Sequence, residues 1–280
     1  MKPARQGAAF RIAIAGIATG ALTLAATMAC AQSRNIVCNL AAKLTDELIR
    51  SCTERIASAR DLGRPLAEVY IARGRAYMAT SKYEQGLADF NEAVRVAPDY
   101  VLALRSRANA YLRMAKYDPA IKDYTEAIWL APQDVGLLHE RAQAYEGKGD
   151  FTLASRDYGE VIRLAPRFIA AYRDRCNLRM IFARELPQAL GDCNDALKLL
   201  PNDPLTLERR GFVYIRLALY DKAIADFDAV LQRNPLYAMA LYGRGVAKRR
   251  KYDETAEADL STAQQLRPDI VELYSRYGIK

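Results

Sequence analysis

From about residue 67 to residue 268 the pattern of apolar and polar positions is one unit written over and over. Apolar and small residues fall at helical spacing twice per unit, as at Ile71, Gly74 and Tyr77 and again at Leu87, Phe90, Ala93 and Val94. That predicts two amphipathic helices per unit. The units end at Pro98, Pro132, Pro166, Pro201, Pro235 and Pro268, which stand 34, 34, 35, 34 and 33 residues apart. Before each proline comes the same phrase, ADFNEAVRVAP in the first copy and KDYTEAIWLAP in the second. Proline lacks an N–H and clashes with the preceding turn, so each one stops a second helix.

Small residues stand where two helices must approach. They are Gly74, Ala108, Ala142, Cys176, Gly211 and Gly245 in the first helices and Gly86, Ala120, Ala154, Ala189, Ala223 and Ala256 in the second. Large residues such as Tyr77, Tyr111, Tyr145 and Tyr214, with Phe90, Tyr124, Tyr158 and Phe227 opposite, fill the space around them. The fourth copy departs at Arg179 and Cys193, and the sixth at Lys248 and Leu260. This period and its small, aromatic and proline positions resemble the tetratricopeptide repeat. The resemblance implies an all-α, right-handed superhelical solenoid of antiparallel helix hairpins, since no single repeat can bury its apolar face alone. Six repeats are expected over 67–268, with a degenerate half-repeat over 32–66 and a capping helix over 269–280.

The first 31 residues read differently. Lys2, Arg5 and Arg11 precede an uncharged stretch from Ile12 to Ala29, followed by Ala29-Cys30-Ala31. This matches a secretory signal peptide cleaved after Ala31. An uncleaved membrane anchor and a lipoprotein lipidated at Cys30 are the alternatives, and membrane contact is expected only under those two. A cleaved chain places the protein in the periplasm or outside the cell, and the array resembles bacterial periplasmic tetratricopeptide proteins. Removal of three positive charges takes the formal charge from +8 to +5. Four cysteines remain in an oxidising compartment. Two disulfides are expected, Cys38–Cys52 and Cys176–Cys193, each within one helical hairpin.

Composition narrows the chemistry. The chain is 51% hydrophobic and 26% charged, which excludes a disordered polymer. His139 is the single histidine, so a multi-histidine metal site is excluded. No phosphate loop, nucleophile elbow or dinucleotide fingerprint occurs. Neither an enzyme nor a cofactor is expected. Trp129 is expected to pack or to lie on the convex face.

Two constellations remain. Every first helix carries an arginine before its small residue and every second helix an aspartate before its large one: Arg73 and Asp89, Arg107 and Asp123, Arg141 and Asp157, Arg175 and Asp192, Arg210 and Asp226, Arg244 and Asp259. They are expected to form structural ion pairs, within a repeat or across to a neighbour. The resemblance also implies a concave groove lined by first helices that holds a partner's peptide or helix. Its expected lining is Arg75, Arg105, Asn109, Arg113, His139, Gln143, Arg173, Asn177, Phe212, Arg216, Tyr242, Arg249 and Arg250. Arg105 with Asn109, and Arg173 with Asn177, resemble the carboxylate clamp by which some tetratricopeptide proteins hold an acidic terminus. The expected partner is a protein or peptide of acidic character. No nucleic acid is expected; a nucleic-acid-binding helical repeat, and an accessory subunit holding a glycan or lipid against Phe212 and Tyr242, are the rival readings.

Overall fold

The computed structural model describes residue 43, residues 45–58 and residues 62–279. The expected signal segment and Cys38 lie outside the described residues. Every regular element among them is a helix. Helix α1 covers 45–57. Six hairpins follow: α2 (Gly63–Ala79) with α3 (Tyr83–Val96), α4 (Val101–Arg113) with α5 (Tyr117–Leu130), and α6 (Val135–Lys148) with α7 (Phe151–Leu164). Then come α8 (Ile169–Ile181) with α9 (Leu186–Leu199), α10 (Pro204–Arg216) with α11 (Tyr220–Arg233), and α12 (Ala238–Arg250) with α13 (Ala256–Leu266). A short helix, α14 (Ile270–Ser275), ends the chain. Each proline of the period stands two residues beyond the last residue of a second helix.

The hairpins close because small meets large. A Cβ on Gly74 would lie 2.7 Å from the Phe90 ring, and one on Gly211 would lie 2.7 Å from that of Phe227. Ala108 and Tyr124 occupy the same two places in repeat two, both fully buried. The turn between the helices of each hairpin holds a left-handed residue, Ser81, Ala115, Gly149, Ala183, Ala218 and Tyr252 in order, and that of repeat four adds a second at Glu185. Only Gly149 among them is glycine, so the others hold a conformation that costs an L-residue roughly 1 kcal/mol or more.

The arginine and aspartate series pair inside each repeat. Each first-helix guanidinium donates through Nε and Nη2 to both oxygens of the second-helix carboxylate, at 2.6–3.1 Å in all six hairpins. The carboxylates are buried, so the pairs clamp the two helices from within. The third nitrogen, Nη1, reaches back to the preceding second helix. It donates to Thr53 at 3.0 Å, Asn91 at 3.4 Å, Thr125 at 3.2 Å, Asn194 at 2.9 Å and Asp228 at 2.7 Å. In repeat four the corresponding residue is Gly159, which offers no side chain to Arg175.

The two divergent copies change the clamp in one way. Where other repeats have a tyrosine, Arg179 adds a second guanidinium to Asp192, and Lys248 adds an ammonium to Asp259 at 3.0 Å. Burial alone would raise the Asp259 carboxyl, but the bonds from Arg244 and Lys248 outweigh it and hold the group below its ordinary value. Repeat four also carries the Cys176–Cys193 disulfide, with Cα atoms 5.6 Å apart, between its two helices. A bridge closing a loop of that size contributes ~3 kcal/mol. Cys52, by contrast, is buried and has no disulfide partner among the described residues; burial pushes its thiol pKa up.

The seam between the first helices α6 and α8 is polar. His139 Nε2 lies 2.9 Å from Asp174 Oδ2, Asn177 Nδ2 donates to Glu146 at 3.4 Å, and the Tyr158 hydroxyl donates to Glu146 at 2.9 Å. Burial, reinforced by the Asp174 charge and opposed by the Tyr158 bond, pushes the Glu146 carboxyl up to about 7.

Two outcomes test these contacts. Asp123→Asn leaves the partly buried Arg107 without its counter-charge and is expected to cost ~3 kcal/mol in urea unfolding. Gly159→Asn supplies Arg175 with an acceptor and removes a helical glycine, so it should stabilise by about 1 kcal/mol. Glu146 sets the pH dependence. Its carboxyl holds a proton in the folded chain up to about pH 7 but only to its ordinary 4.5 when unfolded. Stability should therefore fall as pH rises between those values and level off above them. Thermal melts of Glu146→Gln should lose that slope.

Candidate functional site

The concave face divides into three stretches with different chemistry. The first lies between α2 and α4. Arg75, Met78 and Ala79 from α2, and Ser106, Asn109, Ala110 and Arg113 from α4, surround a cavity of about 290 Å³ with Phe90 at its floor. Arg75 Nη2 donates to Ser106 Oγ at 3.4 Å, and the Arg113 guanidinium lies 5.5 Å over the Tyr83 ring. Neither arginine pairs with a carboxylate among the described residues, and both are exposed. Asn109 accepts the Tyr124 hydroxyl on Oδ1 at 2.7 Å, which leaves its Nδ2 as a donor. The rim is cationic and the floor apolar.

The second stretch, along α4, α6 and α8, corrects the expected clamp. Arg105 donates to both oxygens of Glu140, with Nη2–Oε1 at 2.6 Å, and has Asp134 at 3.9 Å. The Glu140 bond raises the Arg105 pKa more than burial lowers it. Arg173 has Asp174 at 3.5 Å and Asp203 at 3.8 Å. Asn177 is engaged with Glu146, and His139 with Asp174. Arg105 thus ties α4 to α6, while Arg173 lies between Asp174 of its own helix and Asp203 at the start of α10. Gln143 is exposed on the same helix as His139.

The third stretch lies over repeats five and six and is covered. Phe212 and Tyr242 are buried rather than facing a groove, with relative exposures of 0% and 3%. Residues of the chain's own C-terminal segment fold onto them. The Tyr274 ring stacks on Phe212 at 4.4 Å and on Tyr242 at 5.2 Å, and its hydroxyl donates to the buried Glu208 at 3.4 Å. The Tyr242 hydroxyl donates to the Ile279 carbonyl at 3.3 Å. Arg216 donates through Nη2 to the Tyr277 carbonyl and, at 3.5 Å, to that of Ile181. Arg249 pairs with Glu257 at 3.2 Å, and Arg250 is exposed.

The sequence reading expected residues 269–280 to cap the array, but not that Tyr274 and Ile279 would cover Phe212 and Tyr242. The signal for that cover is the aromatic and aliphatic spacing of ELYSRYGI, which exceeds what a solvated end of an array requires. Trp129 is 80% exposed on a second helix. No group of His, Cys, Asp and Glu that could hold a metal ion occurs among the described residues, nor any helix long and apolar enough to cross a membrane.

No curated protein matches the chain at a significant level. Solved structures do. A tetratricopeptide repeat protein from Parabacteroides merdae superposes with a TM-score of 0.65 at 18% identity, covering 83% of this chain and 98% of its own. A chain of the APC/C hetero-tetramer Cut9-Hcn1 gives 0.65 at 17%, covering 83% of this chain and 46% of that one. YrrB, described as a TPR protein with an unusual peptide-binding site, gives 0.51 at 20%, covering 67% and 97%. At such identities the likeness speaks to the fold alone. Sequence profiles described as the tetratricopeptide repeat match residues 71–135, 135–168 and 210–269. With six hairpins of one design stacked in register, the chain belongs to the tetratricopeptide-repeat family.

Proposed function

We propose that this chain is an exported, non-enzymatic scaffold that holds an acidic segment of a partner protein on the concave face of repeats one and two. One observation carries the reading. Arg75 and Arg113 flank the cavity between α2 and α4 with no carboxylate on either, while Arg105 and Arg173 further along are neutralised. A carboxylate entering there meets two guanidiniums and the Asn109 amide, and each charge-assisted bond is worth ~1.5–3 kcal/mol. Met78, Ala79 and Phe90 beneath them suit an adjacent aliphatic side chain. A duplex or single-stranded nucleic acid would need a longer run of unpaired cations than this face offers. The export half of the reading rests on the first 31 residues, whose charged start, apolar stretch and Ala29-Cys30-Ala31 end fit a cleaved signal.

Binding is tested with a short fluorescent peptide of Glu and Leu, measured by anisotropy against its Gln and Leu counterpart. The acidic peptide should bind tighter, and the preference should weaken with salt. Changing Arg75 and Arg113 together to Ala should cost at least tenfold in affinity with little loss of stability. Arg105→Ala should do the reverse, lowering the melting temperature and sparing affinity; the opposite pattern would move the site to the second stretch. Export is tested by the mass of the mature protein. It should begin near Gln32, and a mature chain retaining Met1–Ala31 would show the segment is not removed.

A further inference from the structure

The covering of repeats five and six by the C-terminal segment leaves one group poorly served. Arg216 projects from α10 under that segment, and its Nε is buried with no hydrogen-bond partner. Its remaining contacts are to two backbone carbonyls, with no carboxylate among the described residues. Every clamp arginine of the array, in contrast, holds a carboxylate with two nitrogens. Burial lowers the Arg216 pKa, with no acid to restore it. A partly buried guanidinium given only carbonyl dipoles, with its Nε unpaired, is under-compensated.

The segment above it packs by side chains and carries no acid to meet Arg216. Its helix has six residues, far short of the length at which a helix is stable alone. Its anchors are the buried side chains of Ile270, Tyr274 and Ile279, the Tyr274 hydroxyl on Glu208, and the carbonyls of Tyr277 and Ile279. On its outer side a cavity of about 390 Å³ lies between Val271 and Ser275 of this helix and Tyr242, Leu260, Ser261 and Gln264 of repeat six. The segment therefore lies on the groove without sealing it.

We propose that the concave face of repeats five and six is a second peptide site, in which residues Tyr274–Ile279 occupy the place of a partner segment that carries an aromatic anchor followed by a carboxylate for Arg216. The aromatic ring enters the slot between Phe212 and Tyr242, with Glu208 to accept a phenolic hydroxyl. The carboxylate takes the position above Arg216 where the chain's own segment presents Gly278. A Cβ at Gly278 would stand 3.5 Å from Arg216 Nη1 and 3.8 Å from Nη2, so an acid at that position reaches the guanidinium directly. The resident segment is a placeholder with the ring but without the acid. This inference is independent of the acidic site on repeats one and two, which lies at the other end of the array.

The test uses the full chain and two labelled peptides spanning residues 269–280, one with Gly278→Asp and one with Gly278→Asn. Gly278 has φ +68°, a conformation Asp and Asn adopt alike, so the pair differs in charge and not in strain. The Asp peptide should displace the resident segment and bind at least tenfold tighter than the Asn peptide. Arg216→Gln should abolish the difference. The full chain carrying Gly278→Asp should exclude the Asp peptide by at least tenfold and melt higher than the Gly278→Asn chain. That variant keeps Arg216, so the test stands even where Arg216→Gln fails to fold. Equal binding of the two peptides, binding of neither, or a preference that survives Arg216→Gln in a folded chain would overturn the assignment. A concentration-dependent dimer with exchanged C-terminal segments would assign the site to a second copy and overturn the partner reading.

Discussion

A buried aspartate in every second helix is the constraint on which the rest of the array depends. A carboxylate withdrawn from water must be met by a cation with its hydrogen bonds aligned, or the helix that carries it cannot pack. Arginine alone offers two parallel donors to the carboxylate and a third nitrogen to spare. The first two fix the angle of the hairpin, and the third reaches the preceding second helix, so one side chain sets both the repeat and its stacking on its neighbour. Small residues at Gly74 and Ala108 then let the backbones approach to the distance at which the pair can form. The divergent copies keep the aspartate and add cations to it, Arg179 and Lys248, in place of an aromatic side chain.

The same logic locates the weakest seam. Between repeats three and four Gly159 removes the acceptor for Arg175, and the contact of α6 with α8 is polar. That contact is made by Glu146, Asn177, His139 and Asp174, groups that hydrogen-bond but leave the Asn177 Oδ1 unpaired. The disulfide lies within repeat four, on one side of this seam. It stiffens the hairpin that has lost its inter-repeat bond and cannot replace that bond, because Cys176 and Cys193 belong to the same repeat. Relative motion of the two halves of the groove, where it occurs, should concentrate here.

Much of the fold was legible in the residues because the period repeats the same physical demand six times. Proline after each second helix, a small residue opposite a ring, and arginine with aspartate at fixed places all follow from close packing. The left-handed turn was not legible: of Ser81, Ala115, Gly149, Ala183, Ala218 and Tyr252 only one is glycine, so residue type did not advertise it. Nor was the third arginine bond, whose acceptors are Thr, Asn and Asp in different copies. The residues expected to line a groove all lie on first helices, since helical period fixes the face. Their partners were not legible, because Arg105 meets Glu140 35 residues away and no local pattern pairs them. Phe212 and Tyr242 misled for the same reason, since what covers them arrives from the far end of the chain.

These partners decide the function of the face more than its list of arginines does. Seven arginines on a concave surface suggest one long basic groove. Among them Arg105, Arg173 and Arg249 face the chain's own acids, Arg216 lies under its own C-terminal segment, and Arg250 is exposed at the end of α12. Arg75 and Arg113 stand open beside an apolar floor with no carboxylate on either among the described residues. A face that appears uniform in sequence thus becomes a cationic pocket at one end, a neutralised span in the middle and a covered slot at the other. An acidic partner drawn by net charge alone would find little purchase along most of it. On the proposed reading, selectivity would rest on where a carboxylate falls relative to an apolar or aromatic anchor, since Arg75 and Arg216, which meet no carboxylate among the described residues, belong to the same repeats as Phe90 at one end and Phe212 at the other.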